Sequence, residues 1–369
     1  MTWNWELPDW PKFTRDAATI AQREAQFIEQ SGVMIGISSH LNETDKQKLG
    51  ISIMSMEALD TSSIEGEILD RDSVQSSIQR ALGIKTPARR PSPAENGIAE
   101  MMVDLFQTAE KPLTRAMLFR WHEMMMNGRR DIDQIGAYRK HDEPMQIVSG
   151  ALHAPRVHYE APPSNRMDAE MKAFIRWFND TAPGRKHALP ALERAGVAHL
   201  WFECIHPFED GNGRIGRAIA EKALSQGRQR PIFTSLAGVL LKKRKAYYDR
   251  LQAASRSLNA NQWLNWFADI AIEAQNRSQQ HVEFLLAKTK LIDRLKGQLN
   301  DRQEKALLRM FAEGVDGFKG GLSAKNYMTI TDAPTATTTR DLADLVKKGA
   351  LKREGERKST RYFLHIGQE

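Results

Sequence analysis

The sequence predicts a mainly α protein with one short β-hairpin and a small C-terminal module of helices and strands. Three observations carry this. Apolar residues recur at three- and four-residue spacing over most of the 369 residues. Strand-like alternation is confined to a few short stretches. No apolar run approaches the ~20 residues that a membrane-spanning helix needs.

The helical period runs from Thr14 to Ile28, through Leu49–Leu59, and again over Ser73–Leu82 and Gly97–Phe106. Between the last two, Lys85-Thr-Pro-Ala-Arg-Arg-Pro-Ser-Pro93 has three prolines, three basic residues and no period. That predicts an extended connector and a boundary near residue 90. Thr114 starts a helix that carries Met117–Met125. Met145-Gln-Ile-Val148 and Arg156-Val-His-Tyr159 are strand formers flanking a loop, a hairpin that Pro162 and Pro163 close. Helix resumes over Asn165–Phe178 and Leu192–Ile205, breaks at Pro207, restarts at Gly213 and stops at Gly227. A long helical stretch then runs from Gln262 to about Leu299.

From Arg302 the pattern is a helix, a glycine-rich turn at Gly314–Gly321, a short helix around Ser323–Met328, and a helix through Thr335–Lys347 closed by Gly349. Leu351-Lys-Arg353 then faces Arg361–Leu364. That order resembles a winged helix-turn-helix, with Lys352, Arg353, Arg357, Lys358 and Arg361 on the wing. Two readings stand for it: duplex DNA met by Thr337–Arg340 and the wing, or a packing module whose basic wing is solvated. The predicted units are 1–90, 91–298 and 299–369.

Lys and Arg number 53 against 46 Asp and Glu, a net charge of +7 that only weakly favours anionic partners. The one cysteine, Cys204, allows no intramolecular disulfide and points to a reducing compartment. It falls on the stripe Val197, Leu200, Trp201, Cys204, Ile205, the place of a buried small hydrophobe rather than a nucleophile. The first residues have no basic stretch followed by an apolar one, so the expected location is cytoplasmic, with no membrane partner.

The chemistry concentrates in His206-Pro-Phe-Glu-Asp-Gly-Asn-Gly-Arg-Ile-Gly-Arg217. A glycine-rich loop leading into a helix N-terminus exposes backbone N–H groups to an anion, so Gly211, Asn212 and Gly213 suit phosphate oxygens. Arg214 and Arg217 lie three apart on the first turn and face one ligand. Asp210 suits Mg²⁺ shared with phosphates, and His206, its pKa depressed by Mg²⁺ and the arginines, suits a base for an attacking hydroxyl. Gly211-x-Gly213-x-x-Gly216 also fits a dinucleotide loop, but no strand precedes it, and no Gly-Lys-Ser/Thr supplies a Walker loop.

The motif resembles the Fic-domain signature His-Pro-Phe-x-Asp/Glu-Gly-Asn-Gly-Arg-x-x-Arg at every defined position. The resemblance implies a Fic-type helical core and AMP transfer from ATP to a Ser, Thr or Tyr hydroxyl of a target protein. It implies His206 as base, Asp210 for Mg²⁺, Gly211, Asn212, Gly213 and Arg214 for phosphates, and Arg217 for the γ-phosphate. The hairpin is similar to the family's flap, which docks the target by strand addition, here through Ile147, Val148, Ser149, Gly150, His158 and Tyr159. Gly136-Ala-Tyr-Arg139 and Lys245-Ala-Tyr-Tyr248 also resemble family positions, with packing expected of the tyrosines.

Thr61-Ser-Ser-Ile-Glu65-Gly66 resembles the inhibitory motif Ser/Thr-x-x-x-Glu-Gly/Asn of family members that carry their own inhibitor. It implies that Glu65 pairs with Arg217 and holds ATP out of its productive pose. The rivals are removal of AMP, transfer of another phosphate-containing group, and a DNA-binding regulator that senses nucleotide through the same site. Target, nucleotide preference, self-modification and homo-oligomer formation stay open.

Overall fold

Asn42, Asp70, Ser92 and Thr114 each turn a side-chain oxygen onto the backbone N–H three residues ahead, and each opens a helix. After α1 (Ala21–Ser39) these caps start α2 (Glu43–Ile64), α3 (Arg71–Ala81), α4 (Pro93–Gln107) and α5 (Arg115–Met126). The computed structural model describes residues 2–39, 41–86, 90–149, 156–227, 234–314, 317–318 and 320–366. They fall into two units, Met1–Asn276 and Arg277–Glu369.

In the first unit, β1 (Gln146–Ser149) and β2 (Arg156–Glu160) pair antiparallel, with Ile147 opposite Tyr159 and a bulge between Ile147 and Val148. Then come α6 (Met167–Asp180), α7 (Ala191–Ile205), α8 (Asn212–Ser225), α9 (Leu236–Lys242), α10 (Arg244–Ala254) and α11 (Asn261–Arg294). α7 is buried on nearly every face, as a helix at the centre of a core must be. Gly196 lets α11 approach it closely, since a β-carbon there would stand 2.7 Å from a Leu264 methyl. α8 packs along α7, and α2, α4 and α5 close over α8.

The second unit has α12 (Asp301–Ala312), α13 (Ala324–Thr331), α14 (Thr335–Lys347), β3 (Leu351–Glu354) and β4 (Arg361–Leu364). β3 and β4 pair antiparallel, and Leu322 bridges Tyr362 at the edge of that hairpin. Asn300 and Gln303 form a reciprocal cap at the start of α12. The core gathers Leu307, Met310, Phe311, Tyr327, Leu342 and Leu345 with Phe284 and Leu291 from α11 and Leu295 just after it. The two compact units divide between Asn276 and Arg277, within α11.

Several elements differ from the sequence expectation. α1 runs on to Ser39, past Gly32 and Gly36, which weaken the helical signal although neither has anything near its α-carbon. α9 and α10 escape prediction: α9 is short and apolar up to its last residue, and the basic run Lys242–Lys245 across their junction masks their faces. α11 ends at Arg294 rather than near Leu299. α3 packs on α4, and both lie in the compact unit Met1–Asn276.

Candidate active site

α7 delivers His206 at its C-terminal end in the left-handed conformation, φ 50° and ψ 60°. A β-carbon disfavours that region, so the surroundings must hold it. Arg139 does so. Its Nε donates to the His206 carbonyl at 2.8 Å, its other nitrogens reach Ser164 Oγ and the Pro162 carbonyl, and its own N–H donates to the Pro207 carbonyl at 3.0 Å. Burial first, then the Arg139 charge, lowers His206 to about 4, so the imidazole is neutral at pH 7 and can accept a proton. Desolvation, rather than the expected magnesium and neighbouring arginines of the loop, is the main cause.

The loop after His206 is braced from inside. Phe208 is fully buried and stacks on His122 with ring centroids 4.3 Å apart. Asn212 Nδ2 donates to the Phe208 carbonyl at 2.7 Å, and the Phe208 N–H donates back to Asn212 Oδ1 at 2.9 Å. The Asn212 side chain is therefore committed to the loop, which leaves its backbone N–H for a ligand. Gly211, at φ 79°, has no room for a β-carbon beside the Met126 methyl. No side chain caps the first turn of α8, so its N–H groups face outward as an anion cradle.

Three charged groups ring that cradle. Asp210, half exposed, accepts from Arg129 at 2.9 Å and lies 3.8 Å from Arg214. Arg214 pairs with Glu67 at 2.9 Å. Arg217 is buried: Nε donates to Thr61 Oγ1 at 2.7 Å, and Nη2 to the Thr61 carbonyl at 3.0 Å and to Glu65 Oε1 at 2.6 Å. Glu65 caps the end of α2, and Gly66 behind it takes φ 86°. A β-carbon on Gly213 would stand 2.4 Å from Glu65 Oε1, so this carboxylate rests on the first turn of α8, where the cradle would present itself to an anion. Burial pushes the Glu65 carboxyl up, and Arg217 and Arg214 more than offset it, leaving it below its ordinary range.

A cleft of 730 Å³ opens on this ring, lined by Glu65, His206, Arg217, Ile147, His158 and Tyr248 among others. Tyr248 is 39% exposed and donates to Glu65 Oε2 at 3.4 Å, unlike the packed Tyr138 and Tyr247. Glu203, one turn before His206, also lines the cleft; burial pushes it up to about 8, and a buried oxygen of its carboxyl has no hydrogen-bond partner among the described residues. Of the hairpin residues, Ile147 and Val148 are 40% and 49% exposed. Tyr159 instead turns inward, edge-on to Trp3, and its hydroxyl donates to the Cys204 carbonyl at 2.6 Å. It anchors the hairpin rather than offering a docking edge. Gly150 and residues 151–155 lie outside the described residues, as does the side chain of Ser149. Cys204 is buried, and its thiol is pushed up to about 12 by that burial, the state of a packing residue.

Of the expected residues, Glu65, His206, Gly213 and Arg217 line one cleft, while Asp210, Gly211, Asn212 and Arg214 lie on the adjoining loop and first turn of α8. Arg129, Arg139, Glu67 and Tyr248 join them without a sequence assignment of their contacts. One signal for Glu67 is present in the chain: two acids two apart, Glu65 and Glu67, face two arginines three apart.

Fold and site together define a mainly helical protein with a helix start that no side chain caps, a neutral histidine beside it and a hairpin along the cleft. Residues 112–224 match the Fic/DOC family model, and residues 3–84 match a domain of unknown function, DUF4172. A Fic family protein from Desulfovibrio desulfuricans G20 has the same fold, with a TM-score of 0.56 at 20% identity over 97% of this chain and 99% of that one. Fic-1 from Caenorhabditis elegans superposes with a TM-score of 0.50 at 17% identity, covering 71% of this chain and 73% of its own. A probable protein adenylyltransferase of Aquifex aeolicus is 24% identical over 149 residues, 40% of this chain and 39% of that protein. Protein adenylyltransferase fic-1 of C. elegans is 28% identical over 86 residues, 23% of this chain and 15% of that protein. The chain therefore matches well under half the length of these curated relatives.

Proposed function

We propose that this protein is an adenylyltransferase that moves AMP from ATP to a hydroxyl of a target protein, and that Glu65 holds it at rest. The observation that carries the reading is the placement of a neutral His206 beside a helix start whose cradle is covered by the Glu65 carboxylate. With Glu65 displaced, the first-turn N–H groups of α8 and the guanidinium of Arg214 bind phosphate oxygens, and Arg217 takes the γ-phosphate. His206 removes the proton of the acceptor hydroxyl, whose oxygen forms a bond to the α-phosphorus as the bond to the β-phosphate oxygen breaks and pyrophosphate leaves. Arg139 keeps the imidazole in place for that transfer. The exposed edge of β1 at Ile147 and Val148 suits an extended target segment added as a strand.

Magnesium fits one position. Asp210 is a half-exposed hard-oxygen ligand at the mouth of the cradle, and one carboxylate plus substrate phosphates is a usual magnesium set. No group of three or more metal-ligating side chains occurs among the described residues. Bound there, the ion would neutralise phosphate charge, and Arg129 would have to release Asp210 first. ATP labelled at the α-phosphate tests the reading against ATP labelled at the γ-phosphate. Transfer to protein from the α-position alone, lost in His206→Ala, is expected; label from the γ-position would overturn it.

A further inference from the structure

Residues 277–369 carry 18 Lys and Arg against 12 Asp and Glu, so six of the chain's seven net positive charges lie in this quarter of its length. The first unit is close to neutral, which removes the transferase site as the reason for the excess.

The placement of those charges is selective. α13 and α14 are joined by three residues, Asp332-Ala333-Pro334, with Asp332 in the left-handed conformation at φ 55°. α14 turns Thr338, Asp341, Leu342 and Leu345 into the core. Asp341 is buried and accepts from Arg302 at 2.9 Å and from Tyr327 at 3.0 Å, while Asp344, its side chain 41% exposed, is engaged by Gln303 at 2.8 Å and by Lys348. The exposed residues of α14 are Thr335, Ala336, Thr339, Arg340, Ala343 and Lys347, and the one carboxylate beside them, Asp344, is already paired with a cation. Beyond it, the β3–β4 hairpin exposes Lys352, Arg353 and Arg357; Lys352 pairs with Glu354 at 3.1 Å, while Arg353 has no partner among the described residues.

We infer that this unit binds duplex DNA, with α14 in the major groove and Arg340 and Lys347 of that helix, together with Arg353 and Arg357 of the hairpin, on the flanking phosphates. A helix that exposes small polar residues, an arginine and no unpaired acid has the size and charge to enter a groove about 12 Å wide. The deep, narrow major groove of duplex RNA does not admit a helix. A membrane surface would call for an apolar stripe on the same face, and α14 offers alanines and threonines there. The inference is independent of the adenylyltransferase reading and stands or falls without it.

Fluorescence anisotropy of the full-length chain with a labelled duplex of about 20 base pairs tests it. Four phosphate contacts, from Arg340, Lys347, Arg353 and Arg357, predict a log–log salt slope of about −3.6 and a roughly 150-fold loss of affinity between about 50 and 200 mM salt. Arg353→Gln with Arg357→Gln should bring the slope to about −1.8 and the loss to about 12-fold, with an unchanged thermal melt because both side chains are exposed. Absence of binding at low salt, a salt slope untouched by the double substitution, or equal binding to duplex RNA or anionic vesicles would overturn the inference.

Discussion

Replacing Glu65 with glycine removes the carboxylate that accepts from Arg217 at 2.6 Å and rests on the first turn of α8. The pair straddles the protein surface, with the Arg217 side chain 1% exposed and that of Glu65 32% exposed. A charge-assisted hydrogen bond contributes about 1.5–3 kcal/mol net. That exceeds the 0–1 kcal/mol of a typical exposed ion pair and falls short of the ~3–5 kcal/mol lost when a fully buried pair loses one partner. A nucleotide that uses Arg217 must displace this contact, so the variant gains about 2 kcal/mol in productive binding, or about 30-fold at tenfold per 1.4 kcal/mol. Initial rates of label transfer from ATP labelled at the α-phosphate, measured at sub-saturating nucleotide, should rise between roughly 10- and 100-fold. Glu65→Gln keeps the shape and loses the charge, and its rate should fall between those of the wild type and Glu65→Gly. Rates equal to wild type in both variants would refute the reasoning.

The same contacts set three further outcomes. Because His206 is depressed to about 4, its base form persists from neutral pH down to about 5 and is lost only as pH falls through about 4; a pH–rate profile of Glu65→Gly with an acid midpoint near 6.5 would contradict this. Arg139→Lys removes the fork that grips the carbonyls of His206 and Pro162, so kcat should drop at least tenfold while the KM for ATP holds; a change confined to KM would count against a positioning role. Glu203, raised to about 8, keeps in the fold a proton that the unfolded chain releases above its ordinary value of 4.5, so its stabilising contribution is full below that value and is lost as pH rises towards 8. Glu203→Gln should therefore melt with the wild type near pH 4.5 and above it at pH 8, and equal melting at both pH values would show that the carboxyl ionises freely.

What the chain reveals unaided depends on distance along it. Helix starts are legible where cap and donor lie three residues apart, as at Thr114 and Met117. His206 to Arg217 is legible because twelve consecutive residues build both the helix end and the next helix start. Glu65 is found only by resemblance to a second motif, since 152 positions separate it from Arg217. Arg129 on Asp210, Arg139 on His206 and Tyr248 on Glu65 are meetings of separate elements that no local spacing encodes. Tyr159 shows the opposite case: strand alternation places it in the hairpin, and only the packing of Trp3 and Cys204 around it decides that it faces the core. α9 is hidden because a seven-residue helix with a six-residue apolar run, Leu236–Leu241, is too short to show a helical period.

Mass spectrometry of a cell lysate treated with Glu65→Gly and ATP tests the central claim most directly, because it reports the transferred group and the acceptor together. The account predicts adenylyl groups on hydroxyl side chains of a small set of proteins, absent with His206→Ala and scarce with the wild type. A lysate with no adenylylated protein, or with the same modification in the His206→Ala sample, would contradict it.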